Sequence, residues 1–347
     1  MTIYGIILGD SMVLCLKINK KFGEKTRKLL IENNLLNKDY KITSEGNYLY
    51  LPIKDVNEEI LKSILNIDFE LVNKELEKKK IIKKPSFREI ISKKYRKEID
   101  EGLISLSYDV VGDLVILQIS DEVDEKIRKE IGELAYKLIP CKGVFRRKSE
   151  VKGEFRVREL EHLAGENRTL TIHKENGYKL YVDIAKVYFS PRLSGERARI
   201  MKKVTLNDVV VDMFAGVGPF SIACKNTKKI YAIDINLHAI ELLKKNIKLN
   251  KLEHKIIPIL SDVREVDVKG NRVIMNLPKF AHEFVDKALD IVEEGGVIHY
   301  YTIGKDFDDA IKLFESKCDC EVLEKRIVKS YAPREYILAL DFKINRK

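Results

Sequence analysis

The chain has 347 residues, of which 64 are Lys or Arg and 54 are Asp or Glu, so its net charge is +10. Its length predicts two or three domains, and 45% hydrophobic residues can form their cores, which argues against intrinsic disorder. The sequence has no run of about 18 apolar residues, which predicts that the protein does not cross a membrane. Five mostly isolated cysteines argue against a disulfide framework and are typical of the cytoplasm, while Cys318 and Cys320 lack the second ligand pair of a zinc site.

The first two segments predict small domains of mixed α/β or α+β type. Residues 1–78 contain apolar strand patterns on either side of a helical pattern at 24–34. Residues 79–179 predict a strand pair, a charged amphipathic helix at 121–138 and a hairpin that turns at Asn176-Gly177.

Basic residues cluster in two parts of the chain. Residues 74–98 carry a net charge of +7 and residues 142–158 a net charge of +5. A single basic run is usually a solvated surface. Two runs favour a polyanionic partner, because clustered Lys and Arg neutralise phosphates.

Residues 180–347 alternate short apolar strands with helices, which predicts a parallel, doubly wound sheet. Its first strand ends at Asp212 and runs into a turn with Gly216 and Gly218. These glycines allow a ligand to approach the backbone closely. The Asp212 carboxylate would repel a pyrophosphate, but it suits S-adenosylmethionine, which carries an ammonium and a sulfonium group.

Three further strands end in polar residues. Asp234 is placed to bind both ribose hydroxyls, and Asp262 with Val263 is placed to meet the adenine. Asn276-Leu-Pro278 ends the fourth strand. Each feature alone also fits a plain turn or a helix cap. Because all four strand ends occur in the right order, we predict S-adenosylmethionine rather than a nicotinamide cofactor.

This C-terminal segment resembles the class I, Rossmann-like S-adenosylmethionine methyltransferases, which have seven strands with the last pair antiparallel. Asn276-Leu-Pro278 lies where nitrogen-directed members carry an Asn/Asp-Pro-Pro-aromatic motif. Methylation of a pyrimidine carbon would require a cysteine nucleophile. Cys141 lies outside this domain and Cys224 is expected in the core, so we predict methylation of a nitrogen.

Essentially all of the chain, apart from about the first eleven residues, resembles the archaeal and eukaryotic type of tRNA methyltransferase that modifies N1 of guanosine 37. The stretches that match are 189–197, 212–220, Asp234, Asp262-Val263 and Asn276-Leu-Pro-Lys279. The resemblance implies that Glu196 is the general base, that Arg156 steadies the guanine O6, and that Tyr188 and Pro278 shape the site. It implies cofactor contacts from Arg197, Asp234, Ile235, Asp262, Val263 and Asn276.

Guanine chemistry requires similar groups. Its N1 carries a proton, and removing that proton moves negative charge onto O6, so a carboxylate base and a cationic partner are expected. A base in a loop leaves its stack at low cost. We expect a cytoplasmic monomer that binds tRNA, with the first domain judging tRNA shape.

Two alternatives share the cofactor. One is a related enzyme of tricyclic guanosine biosynthesis, which transfers an aminocarboxypropyl group or methylates carbon 7 of the tricycle. The other is a non-catalytic protein that binds tRNA and senses S-adenosylmethionine. Asn276-Leu-Pro278 together with Glu196 favours methylation of guanine N1 over both.

Overall fold

A computed structural model describes residues 11–79, 85–148 and 159–346. It divides the chain into two units, Met1–Lys84 and Pro85–Lys347. The boundary predicted between residues 78 and 79 lies close to this division. The predicted second and third domains belong to the same unit, and the three-domain division stays a prediction.

The first unit is built on a four-stranded antiparallel sheet in the order β2-β3-β1-β4. Its core contains Leu16, Leu30 and Leu51, which are almost fully buried. Its elements are β1 (Ser11–Asn19), α1 (Gly23–Glu32), β2 (Thr43–Glu45), β3 (Tyr48–Pro52), α2 (Glu58–Ile64) and β4 (Glu70–Leu76).

The second unit begins with a mixed sheet in the order β5-β6-β7-β8, in which only β6 and β7 are parallel. Asp124 caps α5 by accepting a hydrogen bond from the backbone of Lys126, so this helix begins later than predicted. The elements are α3 (Phe87–Lys94), α4 (Arg96–Asp100), β5 (Ile104–Val111), β6 (Leu114–Ile119), α5 (Glu125–Leu138), β7 (Gly143–Arg147) and β8 (Leu160–Gly165).

A two-stranded hairpin follows, made of β9 (Leu170–Glu175) and β10 (Tyr178–Asp183). It turns at Asn176 and Gly177, as predicted, and both have positive φ. The predicted domain boundary between residues 179 and 180 falls inside β10. The hairpin instead packs into the core of the C-terminal sheet, because the apolar residues Leu180 and Val182 are buried there.

The C-terminal sheet has seven strands in the order β13-β12-β11-β14-β15-β17-β16, and β17 runs antiparallel to the other six. This confirms the predicted class I methyltransferase architecture. Its elements are α6 (Ser194–Lys203), β11 (Val209–Asp212), α7 (Pro219–Ala223), β12 (Lys229–Asp234), α8 (Leu237–Leu249), β13 (Ile256–Leu260), β14 (Gly270–Met275), α9 (Val285–Ile291), β15 (Val292–Gly304), α10 (Asp308–Glu315), β16 (Asp319–Ala332) and β17 (Glu335–Arg346).

A buried ion pair fastens α6 to the hairpin. Arg197 on α6 donates to both carboxylate oxygens of Glu175 on β9, at 2.5 and 2.7 Å, and both side chains are less than 5% exposed. Tyr178 donates a further hydrogen bond to Glu175 at 2.6 Å. Burial alone would raise the pKa of Glu175, but the bonds from His173 and Arg197 outweigh it and lower the pKa to about 2.

We expect Glu175→Gln to lower the free energy of unfolding by about 3 kcal/mol at neutral pH, because it leaves the Arg197 charge buried without its partner. The lowered pKa means that this contribution is complete above the ordinary value of 4.5 and is lost as the pH falls toward 2. Guanidinium titrations at several pH values should show the difference between wild type and variant shrinking on acidification.

Asp286→Asn provides the control, because the Asp286–Lys317 pair is exposed and should contribute less than about 1 kcal/mol. A Glu175→Gln variant no less stable than this control would contradict the role given to the buried pair.

Candidate active site

A cavity of about 370 Å³ opens at the carboxyl ends of β11, β12, β13 and β14, a size found for small-molecule sites. Parallel strands of an open sheet place ligands at this edge. Eight of the residues predicted from the sequence line it, namely Tyr188, Arg197, Gly216, Asp234, Ile235, Asp262, Val263 and Asn276. Four others, Glu196, Asp212, Gly218 and Pro278, are described by the structure but do not line it.

The two glycines of the turn have different tasks. Gly216 has a φ of +54°, and a Cβ there would meet nothing closer than a backbone oxygen at 3.9 Å, so its backbone faces open space in the cavity. Gly218 has a φ of +84°, and a Cβ there would lie 2.3 Å from the side chain of Leu243 on α8. Gly218 therefore serves close packing between the turn and α8 and does not face the cavity.

Asp234 joins the glycine turn to the end of β12. Its carboxylate accepts hydrogen bonds from the backbone N–H of Gly216 at 2.7 Å and of Asn236 at 2.8 Å. Burial raises its pKa, while these backbone bonds oppose the rise. The two bonds fix a carboxylate in the cavity wall, where it can accept hydrogen bonds from ribose hydroxyls.

Asp262 follows β13 and is partly exposed at the cavity edge. Its carboxylate pairs with the exposed Arg264, and the hydrogen bonds from Arg264 lower its pKa. Arg264 lies 5.4 Å from the centre of the Phe284 ring. The predicted adenine contact is therefore part of a charged and aromatic edge that sequence reasoning did not foresee.

Asp212 does not line the cavity. Its side chain is 1% exposed, and it accepts a hydrogen bond from Ser221 at 2.7 Å. Burial raises its pKa to about 7, with the nearby Asp234 charge adding to the effect. Its other carboxylate oxygen, Oδ1, is buried and has no hydrogen-bond partner among the described residues, and the predicted contact with a cationic cofactor stays a prediction.

The side-chain oxygen of Asn276 is a buried hydrogen-bond acceptor without a donor among the described residues. Buried polar atoms of this kind are rare unless a ligand completes them. Together with the open backbone at Gly216 and the Asp234 carboxylate, this oxygen fits S-adenosylmethionine, which offers an amine and ribose hydroxyls as donors. Leu277 and Phe280 line the cavity beside it, whereas Pro278 does not.

Arg197 closes one side of the cavity, with its charge balanced by Glu175. Its guanidinium lies 5.2 Å from the centre of the Phe189 ring and donates to the backbone oxygen of Ser190 at 3.1 Å. Tyr188 is 42% exposed and lines the same cavity. The predicted contacts of this segment are therefore brought to the cavity, with Arg197 held rigidly.

Glu196 lies in the first turn of α6, and its side chain is only 3% exposed. Its Oε2 accepts from Arg199 Nε at 2.9 Å and from the Tyr301 hydroxyl at 3.2 Å. Its Oε1 lies 3.0 Å from Arg326 Nε. Both oxygens are therefore engaged by donors. Glu196 is thus paired with two arginines, an arrangement that also fits a purely structural role, and the role of base stays a prediction.

Arg156, predicted to steady O6, lies outside the described residues. Sequence reasoning missed the aromatic side chains of the cavity wall, Phe214, Phe280 and Phe284. Phe214 and Phe284 meet edge to face, 5.0 Å apart. Phe214 lies within the glycine motif, and Phe280 follows Asn276 by four residues. Both aromatic side chains could therefore have been predicted to line the cavity from their positions in or beside motifs already recognised.

None of the described helices is long and apolar enough to cross a membrane. Over residues 11–79, 85–148 and 159–346, no three His, Cys, Asp or Glu side chains are grouped so that they could hold a metal ion.

Comparison with known proteins gives three matching family models. Residues 171–323 match the TRM5/TYW2 methyltransferase domain, residues 15–62 the tRNA methyltransferase 5 N-terminal domain, and residues 87–169 the TYW2 N-terminal domain.

Individual relatives match over nearly the whole chain. The tRNA (guanine(37)-N(1))-methyltransferase Trm5b of Methanocaldococcus jannaschii is 94% identical over 336 residues, which cover 97% of this chain and all of that protein. A solved complex of aTrm5 and tRNALeu is 94% identical, with a TM-score of 0.75, and covers 96% of this chain and all of that one. The M. jannaschii Trm5 structure with adenosine is 90% identical, with a TM-score of 0.72 and the same coverage. The chain therefore belongs to the TRM5/TYW2 methyltransferase family, in its branch of tRNA (guanine(37)-N(1))-methyltransferases.

Proposed function

We propose that this protein transfers a methyl group from S-adenosylmethionine to N1 of guanosine 37 in tRNA. The observation that carries the proposal is the cavity where Gly216, Asp234, Asp262 and Asn276 meet at four strand ends. The near-identity to a methyltransferase of this specificity supports it. Residues 15–62 match the tRNA methyltransferase 5 N-terminal domain and residues 87–169 match the TYW2 N-terminal domain, so the choice against the related tricyclic guanosine enzymes rests on the near-identity.

The chemistry assigns a role to each polar group. S-adenosylmethionine supplies an electrophilic methyl group on a positively charged sulfur. Glu196 takes the proton from N1 as the new N–C bond forms, and Arg156 balances the charge that develops on O6. Asn276 holds the target nitrogen in line with the methyl group. The bonding pair of the broken S–C bond remains on sulfur, so no covalent enzyme intermediate is required.

The geometry sets one condition on the role of Glu196. Glu196 does not line the cavity and is only 3% exposed, so a side chain that covers the carboxylate must move before guanine N1 can reach it. Arg326 is the candidate, because its side chain is 43% exposed while that of Arg199 is 9% exposed. Water can solvate Arg326 when it moves away, and Glu196 keeps its bonds from Arg199 and Tyr301, so this exchange costs less than breaking a fully buried pair.

The distribution of charge supports tRNA as the partner, and the free cysteines support the cytoplasm as the compartment. The two basic runs, residues 74–98 and 142–158, suit the tRNA backbone, and the first unit suits recognition of overall tRNA shape. All five cysteines are free thiols, which supports action in the cytoplasm.

We expect Glu196→Gln to lower the single-turnover methylation rate by about 10²- to 10⁴-fold, the usual effect of losing a positioned base. The dissociation constants for tRNA and S-adenosylmethionine should stay unchanged. Glu324→Gln is the matched control, since Glu324 also pairs with Arg199 and Arg326 but is more exposed. Normal chemistry in Glu196→Gln with a lowered melting temperature would show that the carboxylate is only structural.

We expect Asp234→Ala to weaken S-adenosylmethionine binding by about ten- to a hundredfold, because hydrogen bonds to a charged acceptor contribute about 1.5–3 kcal/mol. Calorimetry on the whole protein measures this, with the exposed Asp267→Ala as the control in the same unit. Unchanged affinity, or tight binding of NADH in place of S-adenosylmethionine, would contradict the assignment of the cavity.

Removing residues 1–84, the first unit, should leave S-adenosylmethionine binding intact and weaken tRNA binding by about tenfold or more. The cavity lies wholly in the second unit, which explains the first expectation. Filter binding with tRNA and calorimetry with the cofactor measure the two effects. A shortened protein with full tRNA affinity and unchanged choice of tRNA would give the first unit another task.

A further inference from the structure

The two oxygens of the Glu196 carboxylate have different environments. Oε2 accepts hydrogen bonds from Arg199 and from Tyr301, whose side chain is fully buried. Oε1 pairs only with Arg326 among the described residues, and the Arg326 side chain is 43% exposed. One side of the carboxylate is therefore held by buried donors and the other by an exposed one.

The buried side is held by a chain of charged groups. Arg199 donates to both oxygens of Asp341, at 2.6 and 3.2 Å, and Asp341 is 1% exposed. His299 Nδ1 lies 2.7 Å from the same carboxylate. Arg199 also lies 3.3 Å from the partly exposed Glu324, but because an unpaired buried charge is costly, its two bonds to the buried Asp341 hold it in place. Its bond to Glu196 is thus geometrically fixed.

Tyr301 forms a triangle of hydrogen bonds with Arg199 and Glu196. Its hydroxyl accepts from Arg199 Nη2 at 3.4 Å and donates to Glu196 Oε2 at 3.2 Å. Its ring lies 5.6 Å from that of Phe220, the second residue of α7. Burial, with the nearby Glu196 charge, holds the pKa of Tyr301 well above its usual value, so the hydroxyl remains a donor at working pH.

We propose that Tyr301 and Arg199 are positioning residues that hold Oε2 of Glu196 and leave Oε1 as the proton acceptor for guanine N1. This inference rests on the proposed role of Glu196 as the general base. Fixing one oxygen sets the plane of the carboxylate, so the other oxygen has a defined direction once Arg326 exchanges. A base with a defined direction loses less freedom on reaching the transition state.

The competing explanation is that the triangle only fastens α6 to the sheet. In that case, removing the Tyr301 hydroxyl would lower stability and leave the rate of methyl transfer by folded protein unchanged. The positioning role predicts the opposite, a slower chemical step with unchanged affinities.

Tyr301→Phe tests the proposal, because it keeps the ring and removes only the hydroxyl. We expect the single-turnover rate at saturating tRNA and S-adenosylmethionine to fall about tenfold, with both dissociation constants unchanged. The matched control is Tyr300→Phe. Tyr300 is equally buried but packs in the other core of the sheet, with its ring 5.1 Å from that of Phe314. Its variant should transfer the methyl group at the wild-type rate.

A double variant separates this inference from the base assignment. If Tyr301 acts through Glu196, Tyr301→Phe should cause no further loss in a Glu196→Gln background. A further tenfold loss there would overturn the inference. A slow Glu196→Gln with a normal Tyr301→Phe would also overturn it, while leaving the base assignment intact. A normal Glu196→Gln would overturn the base assignment and this inference together.

Discussion

The site depends on one constraint, which is that parallel strands end at a common edge. Strands β11 to β14 are neighbours in one sheet, and adjacent strands lie only about 4.8 Å apart. The residue that follows each strand is therefore brought close to the other three, although residues 212 to 276 span much of the domain. The carboxylate of Asp234 at the end of β12 is held rigidly in the cavity wall, because it accepts hydrogen bonds from the backbone N–H groups of Gly216 and Asn236.

Helix α6 adds the second element of the site, and buried charges fix it on two sides. Arg197 pairs with Glu175 on the hairpin, and Arg199 pairs with Asp341 on β17. Glu196 directly precedes Arg197 in sequence and is held by Arg199. A helix fastened only by apolar contacts could slide. Paired buried charges hold the register, since a displaced charge would lose its partner. The same interactions that stabilise the helix therefore orient the proposed base.

Local patterns allowed much of this to be predicted from the sequence. The glycine turn, the acidic strand ends and the Asn176-Gly177 hairpin depend on residues close in the chain, and the structure has them. The burial of Asp212 could not be predicted, because a residue at a strand end can face the cavity or the core beneath it. The partners of Glu196 were also out of reach, because Tyr301 and Arg326 are more than a hundred residues away and are brought near only by the sheet order.

The central claim is the identity of the product. Unmodified tRNA should be incubated with the protein and S-adenosylmethionine labelled in its methyl group, and the nucleosides should then be separated and weighed by mass spectrometry. The account predicts labelled 1-methylguanosine at position 37 and no label elsewhere. An aminocarboxypropylated or carbon-methylated nucleoside, or tRNA that binds and remains unmodified, would contradict it.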